Sequence, residues 1–326
     1  MKRREFIAGL SGAAAWPLVA QAQQPAMPVI GYLNVRGPDD SPELLRAFRE
    51  GLKLEGFVEG ENVLILSRFA DNQMDRLPDL AADLVRRQVA IIATTGGIKP
   101  ATAAKQATST IPILFTTAED PVRTGLVASL ARPGGNLTGA NFLSAELVGK
   151  RLELLHQLIP KAVRLALLVN PNGPTPEITL RDAQRAADAM GLRLQVHRAS
   201  TPREIDAAFE AIASDRPDAL FVGTDPLFSS RRFQMVNLAS RHGLPASYGI
   251  RQMVEVGGLM SYGSDTSAAL RETGVYAGRV LKGAKPSDLP VVQVTKIELV
   301  INLQTARTLG ITVPQSLLVA ADELVD

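Results

Sequence analysis

Thr94-Thr95-Gly96-Gly97-Ile98-Lys99-Pro100 concentrates more usable chemistry than any other stretch of this sequence. An apolar run ends in two hydroxyls, two glycines let the backbone approach a ligand, and a helix is expected to begin at Pro100. Free N–H groups and about half a positive charge at a helix N-terminus favour an anion such as a carboxylate. Lys99 either adds charge there or is solvated. Similar polar residues follow the other apolar runs. Together they give a candidate binding set of Tyr32, Asn34, Thr95, Gly96, Gly97, Thr117, Asp120, Asn170, Thr224, Asp225, Tyr248, Ser261 and Tyr262, with Thr116, Asn141 and Asn172 nearby. Hydroxyls, amides, glycines and phenols with few charges suit the orientation of a polar small molecule by hydrogen bonds. They suit acid–base catalysis poorly.

Two acids stand out. Asp120-Pro121 and Asp225-Pro226 occupy similar places in the two halves. Each Asp either receives a ligand amine or caps the turn before its proline. Tyr32, Tyr248 and Tyr262 either wall a cleft or fill the core. His156, His197 and His242 are isolated and lack metal-ligand spacing. The chain has no cysteine, which excludes disulfides, thiolate metal sites and a cysteine nucleophile. GxSxG, P-loop and GxGxxG motifs are absent. No catalytic residue, metal or cofactor is expected.

The elements that must position these residues alternate. Strands are expected at Val29–Leu33, Val63–Phe69, Val89–Thr94, Ile113–Thr116, Leu137–Phe142, Val163–Val169, Arg193–His197, Ala219–Val222, Pro245–Tyr248, Leu259–Tyr262 and Val291–Val294. Amphipathic helices lie between most of them. Ser41 is expected to cap the first helix before Pro42. Short helices are expected at Thr124–Ala131 and Asn302–Leu309, and a longer one over Ser229–Arg241. Strands separated by ~10–15-residue helices imply right-handed crossovers and parallel sheets. Two such series, linked by a Pro/Gly-rich stretch near 132–140, imply an α/β protein of two similar lobes. Ligands on such sheets collect beyond the C-terminal strand ends.

The first 22 residues have the pattern of an export signal. Lys2, Arg3 and Arg4 form a basic start, Phe6 to Val19 is apolar, and Ala20 and Ala22 offer small side chains for cleavage after Ala22. Arg3-Arg4 with Glu5-Phe6-Ile7 also matches a twin-arginine signal. The apolar run is shorter than the roughly 20 residues that span hydrocarbon, and Pro17 interrupts it. Cleavage would remove three basic residues and one acidic residue, leaving the two signs in balance. A neutral mature chain gives no electrostatic reason to bind nucleic acid or an anionic membrane. A soluble periplasmic monomer is the expectation.

Many stretches, in order, are similar to one known family. They include Ala104-Lys105-Gln106-Ala107-Thr108-Ser109-Thr110-Ile111-Pro112-Ile113, Asp120-Pro121-Val122, Arg132-Pro133-Gly134-Gly135-Asn136-Leu137-Thr138-Gly139 and Lys150-Arg151-Leu152-Glu153-Leu154-Leu155. They continue with Ser230-Arg231-Arg232, Gly257-Gly258-Leu259-Met260-Ser261-Tyr262-Gly263 and Tyr276-Ala277-Gly278-Arg279-Val280-Leu281-Lys282-Gly283. In these the chain resembles the ABC-transporter substrate-binding proteins of the tryptophan/tyrosine-type group. The resemblance implies a type I periplasmic binding protein with two Rossmann-like lobes joined by three crossovers. It divides the chain into 28–142 plus 259–286 and 143–258 plus 287–326. Ligand would sit between the lobes, and an inner-membrane ABC permease would be the partner. The implied ligand is an amino acid or an aromatic or carboxylate compound. Thr95, Gly96, Gly97, Asp120, Asn170, Asp225 and Tyr262 match the pattern by position. Gly249 departs from it, standing where a bulkier aromatic or acidic residue is usual. A sensory module for a membrane receptor, or an exported enzyme on the same scaffold with Asp225 or Asp120 as base, are the alternatives.

Overall fold

The computed structural model describes residues 27–40, 42–142 and 147–326. The expected signal and the Ser41 cap fall outside the described residues. The chain opens with β1 (Val29–Asn34), α1 (Pro42–Leu54), β2 (Leu64–Phe69), α2 (Leu77–Arg86), β3 (Ile91–Thr95), α3 (Ile98–Ala107), β4 (Ile113–Thr117) and β5 (Leu137–Phe142). It continues with α4 (Val148–Leu158), β6 (Arg164–Val169), α5 (Pro176–Ala189), β7 (Arg193–Arg198), α6 (Pro202–Asp215), β8 (Ala219–Val222), α7 (Pro226–Ser230), α8 (Arg232–Arg241), β9 (Ala246–Tyr248), α9 (Gln252–Glu255) and β10 (Met260–Ser264). Then come α10 (Thr266–Leu281), β11 (Val292–Val294), β12 (Ile297–Asn302), α11 (Leu303–Thr308), α12 (Gln315–Ala320) and β13 (Glu323–Val325).

Two sheets form, ordered β11-β5-β4-β3-β1-β2 and β13-β12-β10-β9-β8-β6-β7. Neighbours pair in parallel except β10 and β12, which run antiparallel. The chain passes between the sheets three times, after β5, after β10 and after β11. Here the sequence-based division needs correction. Residues 260–264 pair with β9 and β12 in the second sheet, not the first. Residues 292–294 pair with β5 in the first sheet, not the second. A strand's sequence shows that it is buried but not which neighbour it will pair with.

Alternation along each strand sends side chains to opposite faces. In the first lobe Ile30 and Tyr32 pack with Phe48 of α1 and Tyr276 of α10, while Leu33 faces Leu77 and Leu84 of α2. In the second, Leu165 and Leu167 face α4 and α5, while Ala166 and Leu168 face α6 and α8. Helix α10 reaches α1 from the third segment of the chain. Glycines make the approach possible: a Cβ on Gly274 would collide with the Phe48 carbonyl, and one on Gly51 with that of Arg271.

The helix expected at Thr124–Ala131 is absent, and the segment is a series of turns in which Gly125 has φ +71°. Ser229–Arg241 is split at Arg231, which ends α7 and starts α8. No described helix is long and apolar enough to cross a membrane.

Candidate functional site

The C-terminal strand ends of the two sheets face one another across a cleft. A cavity lies there with about 580 Å³ of unoccupied space, counting its open mouth. Its first-lobe wall is formed by Arg36, Leu44, Thr95, Gly96, Gly97, Ala118, Glu119 and Phe142, with Thr266 and Leu270 beside them. Pro174, Thr175, Thr224, Asp225, Pro226, Ser229 and Ile250 form the opposite wall.

The β3–α3 turn is shaped by Gly96 at φ +97° and Gly97 at φ +107°, a region that only glycine enters freely. The helix N-terminus beyond it already holds an anion from the same lobe. Glu119 is 3% exposed, and its Oε1 accepts from the Ile98 N–H at 3.3 Å. Its Oε2 accepts from the Thr117 hydroxyl. Asn141 Nδ2 donates to the Thr117 and Glu119 carbonyls at 3.0 and 2.7 Å, which fixes the strand end that presents this carboxylate. A ligand carboxylate therefore meets Glu119 rather than an empty helix terminus.

On the facing wall, Asp225 caps α7. Its Oδ1 accepts from the Leu227 N–H at 2.8 Å and from Asn170 Nδ2 at 3.0 Å. Asn170 in turn accepts from the Asn172 N–H at 3.0 Å, so a hydrogen-bonded strand end orients the acid. Gly173 leaves room for it, since a Cβ there would strike Oδ2. Burial pushes the Asp225 carboxyl above the usual range, against the pull of Asn170, the Leu227 N–H and Arg36.

Arg36 supplies the cavity's positive charge. Asn34 Oδ1 accepts its backbone N–H at 3.0 Å and sets the turn after β1. Its Nε has no hydrogen-bond partner among the described residues. Burial draws the guanidinium below its ordinary range, and the fields of Tyr32, Asp225, Glu43 and Asp40 oppose that shift. One cavity thus brings a cation and two carboxylates to opposed walls, with Phe142, Leu44, Leu270 and Ile250 as apolar surface between them. This arrangement can hold a small molecule bearing both charges.

Contacts also bridge the cleft. Lys99 Nζ donates to the Asn172 carbonyl at 2.9 Å, Asn72 Nδ2 to Ser230 Oγ at 3.3 Å, and Arg232 Nη1 to the Asp40 carbonyl at 2.5 Å.

Residues 38–325 match the family model for ABC transporter substrate binding protein. The chain belongs to this family. It is 29% identical over 265 residues to a tyrosine-binding protein of Clostridioides difficile, covering 81% of this chain and 75% of the relative. It is also similar to a Streptococcus pneumoniae structure described as an ABC domain in complex with L-Trp (TM-score 0.81, 26% identity, 91% of this chain and 99% of the other). A LacI-family transcriptional regulator from Bifidobacterium animalis shares the fold at 16% identity, with a TM-score of 0.60 over 83% of this chain and 95% of the other. The fold is therefore that of type I periplasmic binding proteins, and this ABC substrate-binding protein is a binder, not an enzyme. Proteins of the family work outside the cytoplasm.

Within the substrate-binding protein, Thr95, Gly96, Gly97, Thr224 and Asp225 line the cavity. Asn34, Thr117 and Asn170 stand one step behind, holding Arg36, Glu119 and Asp225. The other expected contacts lie off the cavity wall. Asp120 is exposed and accepts from the Val122 and Arg123 N–H groups at 2.9 and 3.1 Å as a turn cap. Tyr32 is 1% exposed and stacks near Phe48 in the α1 side of the core. Tyr248 lies with Ala246 in the core under α8, and Tyr262 packs against the α4 side. Ser261 is buried mid-strand, opposite Tyr248 and Val300. The reason is the strand's twofold alternation, which turns these side chains onto a sheet face rather than past its end.

Arg36, Glu119 and Phe142 were missed. Arg36 and Glu119 each lie two residues past a strand end and Phe142 closes β5; the expected set reaches Asp120 and so spans Glu119, and only Arg36 lies beyond the residues it reads after its strand.

Proposed function

We propose that this chain is the periplasmic solute-capturing subunit of an ABC importer and that it takes an amino acid, or a related aromatic or carboxylate compound, between its lobes. The observation that carries this reading is the placement of Arg36 and Asp225 on opposite walls of one cavity. The guanidinium is an anchor for a ligand carboxylate and Asp225, with Glu119, an anchor for its amine, through charge-assisted hydrogen bonds. Phe142, Leu44, Leu270 and Ile250 offer apolar surface to a side chain. The tyrosine-binding relative and the L-Trp complex support an aromatic amino acid. Micromolar affinity, about −8 kcal/mol, is within reach of two such anchors plus an apolar side chain. The lobes close on the ligand, and the closed form is handed to an inner-membrane permease.

Thermal shift and calorimetry of the mature protein against amino acids, aromatic acids and sugars test this. Tyrosine, tryptophan or an aromatic acid should raise Tm and be recovered chemically unchanged. No shift with any of them, together with no co-purifying small molecule by mass spectrometry, would refute the reading.

A further inference from the structure

Arg151, on α4, is 2% exposed and has no counter-ion among the described residues. Its Nη2 donates to the Val222 carbonyl at 2.7 Å and its Nη1 to Thr224 Oγ1 at 3.2 Å. Its Cζ lies 4.0 Å from the centre of the Phe221 ring. Its Nε makes no hydrogen bond among the described residues. Burial pushes the guanidinium down to about 9, which leaves it charged at neutral pH, and no acid or base on α4, β8 or β9 offsets or adds to that shift.

An unpaired buried charge is costly, and an apolar side chain of similar volume in its place is often neutral or stabilising. The Val222 carbonyl and the Phe221 ring account for one side of the guanidinium, but not for the charge carried by Nη1. Its position does. Nη1 touches the hydroxyl of Thr224, and Thr224 is cavity wall. Gly249 keeps that corner open, because a Cβ there would collide with both Thr224 Oγ1 and Arg151 Nη1. The guanidinium thus stands one hydroxyl behind the cavity, on the wall that Thr224 shares with Asp225 and Ile250.

We propose that Arg151 is a specificity-determining residue: it makes the Thr224 wall electropositive, so that the cleft prefers a ligand carrying an acidic group on its side chain or ring over its uncharged isostere. The inference rests on the cleft being the ligand site. Within the amino-acid and aromatic classes of that reading, it favours members that carry an acidic group on the side chain or ring. A field acting across one hydroxyl in a partly desolvated cleft is worth roughly 10- to 100-fold in affinity.

The test is calorimetry on the mature chain with matched probes: 4-carboxyphenylalanine against phenylalanine, glutamate against glutamine, and benzoate against benzamide. The wild type should bind the acid of a pair at least tenfold more tightly. R151M should collapse that ratio toward one, and R151K should keep part of it. R151M leaves the buried Val222 carbonyl without its donor, so its apo Tm should fall, and the acid-to-neutral ratio is the readout that a purely structural role would not move. Where R151M does not fold, T224V takes its place and should lower the acid-to-neutral ratio by removing the hydroxyl that links the guanidinium to the cavity. Equal affinities within every pair in the wild type overturn the proposal and leave the cleft reading intact, and so does a ratio unchanged in the variants. If no probe binds at all, the proposal falls, and the cleft reading stands or falls on the wider panel with tyrosine and tryptophan.

Discussion

Lys99 at the start of α3 and Asn172 after β6 belong to opposite lobes, yet Lys99 Nζ lies 2.9 Å from the Asn172 carbonyl oxygen. With Arg232 on Asp40 and Asn72 on Ser230, this contact holds the cleft mouth together. Opening the lobes would break such bonds, so under the proposed closure they stabilise the closed form over an open one. Each is partly solvated and individually modest. K99A should therefore raise the ligand dissociation rate by roughly two- to fivefold with little change in association, and K99A/R232A by more. Stopped-flow binding measures this, and small-angle scattering should show the unliganded double variant more extended than the wild type.

Asp225 couples binding to pH. Its folded-state carboxyl titrates above its unfolded value because it is buried. The native state thus holds the proton more tightly, and the apo protein loses stability as pH rises through the folded pKa. That cost is fully present above it and absent below the unfolded value. A bound amine compensates the carboxylate, so affinity for an amine-bearing ligand should fall as pH drops through the raised value. D225N keeps an oxygen for the Leu227 N–H and removes the charge. It should weaken amine-bearing ligands by roughly 10- to 100-fold without lowering the apo Tm at neutral pH. Calorimetry and melting curves across pH 4–8 check both halves.

The α1–α10 contact ties the third segment of the chain to the first lobe. A methyl at Gly274 would meet the Phe48 carbonyl, with the Gly51 Cα and the Leu52 nitrogen each 3.0 Å away. None of these is a flexible side-chain end, so the helices must separate. G274A should cost about 1–3 kcal/mol by chemical denaturation. Ligand affinity should change little in the fraction that remains folded, because the strand ends are untouched.

Export can be tested at the twin-arginine pair. Lysine at positions 3 and 4 preserves the positive charge but removes the pair. R3K/R4K should leave uncleaved precursor in the cytoplasm, whereas the wild type should yield a mature form beginning at Gln23. Normal processing of the double variant, read by N-terminal mass, would assign the general secretory route instead.

Sequence alone determined the alternation of strand and helix, and with it two largely parallel sheets whose C-terminal ends carry the candidate site. Thr95-Gly96-Gly97 and Thr224-Asp225 were visible because each follows an unbroken apolar strand, where a parallel sheet must present polar groups. Tertiary structure decided which acids and cations meet. Arg36, Glu119 and Asp225 lie on two lobes and three strand ends, and only the packing of the lobes across the cleft brings their charges to one cavity. Arg151 sits in the first turn of α4, and nothing in the helical pattern marks it as a buried cation. Tyr32, Tyr248 and Tyr262 were read as possible cleft walls because sequence fixes that a strand residue alternates, not which face meets solvent. The partners of β10 and β11 were likewise undetermined. Strand pairing is made by whichever sheet edge buries the strand's apolar faces: β11 reaches back past the whole second sheet series to β5, with Val292 beside Ala140, whereas β10 stays between its nearer neighbours β9 and β12, with Met260 beside Ser247 and Ile301.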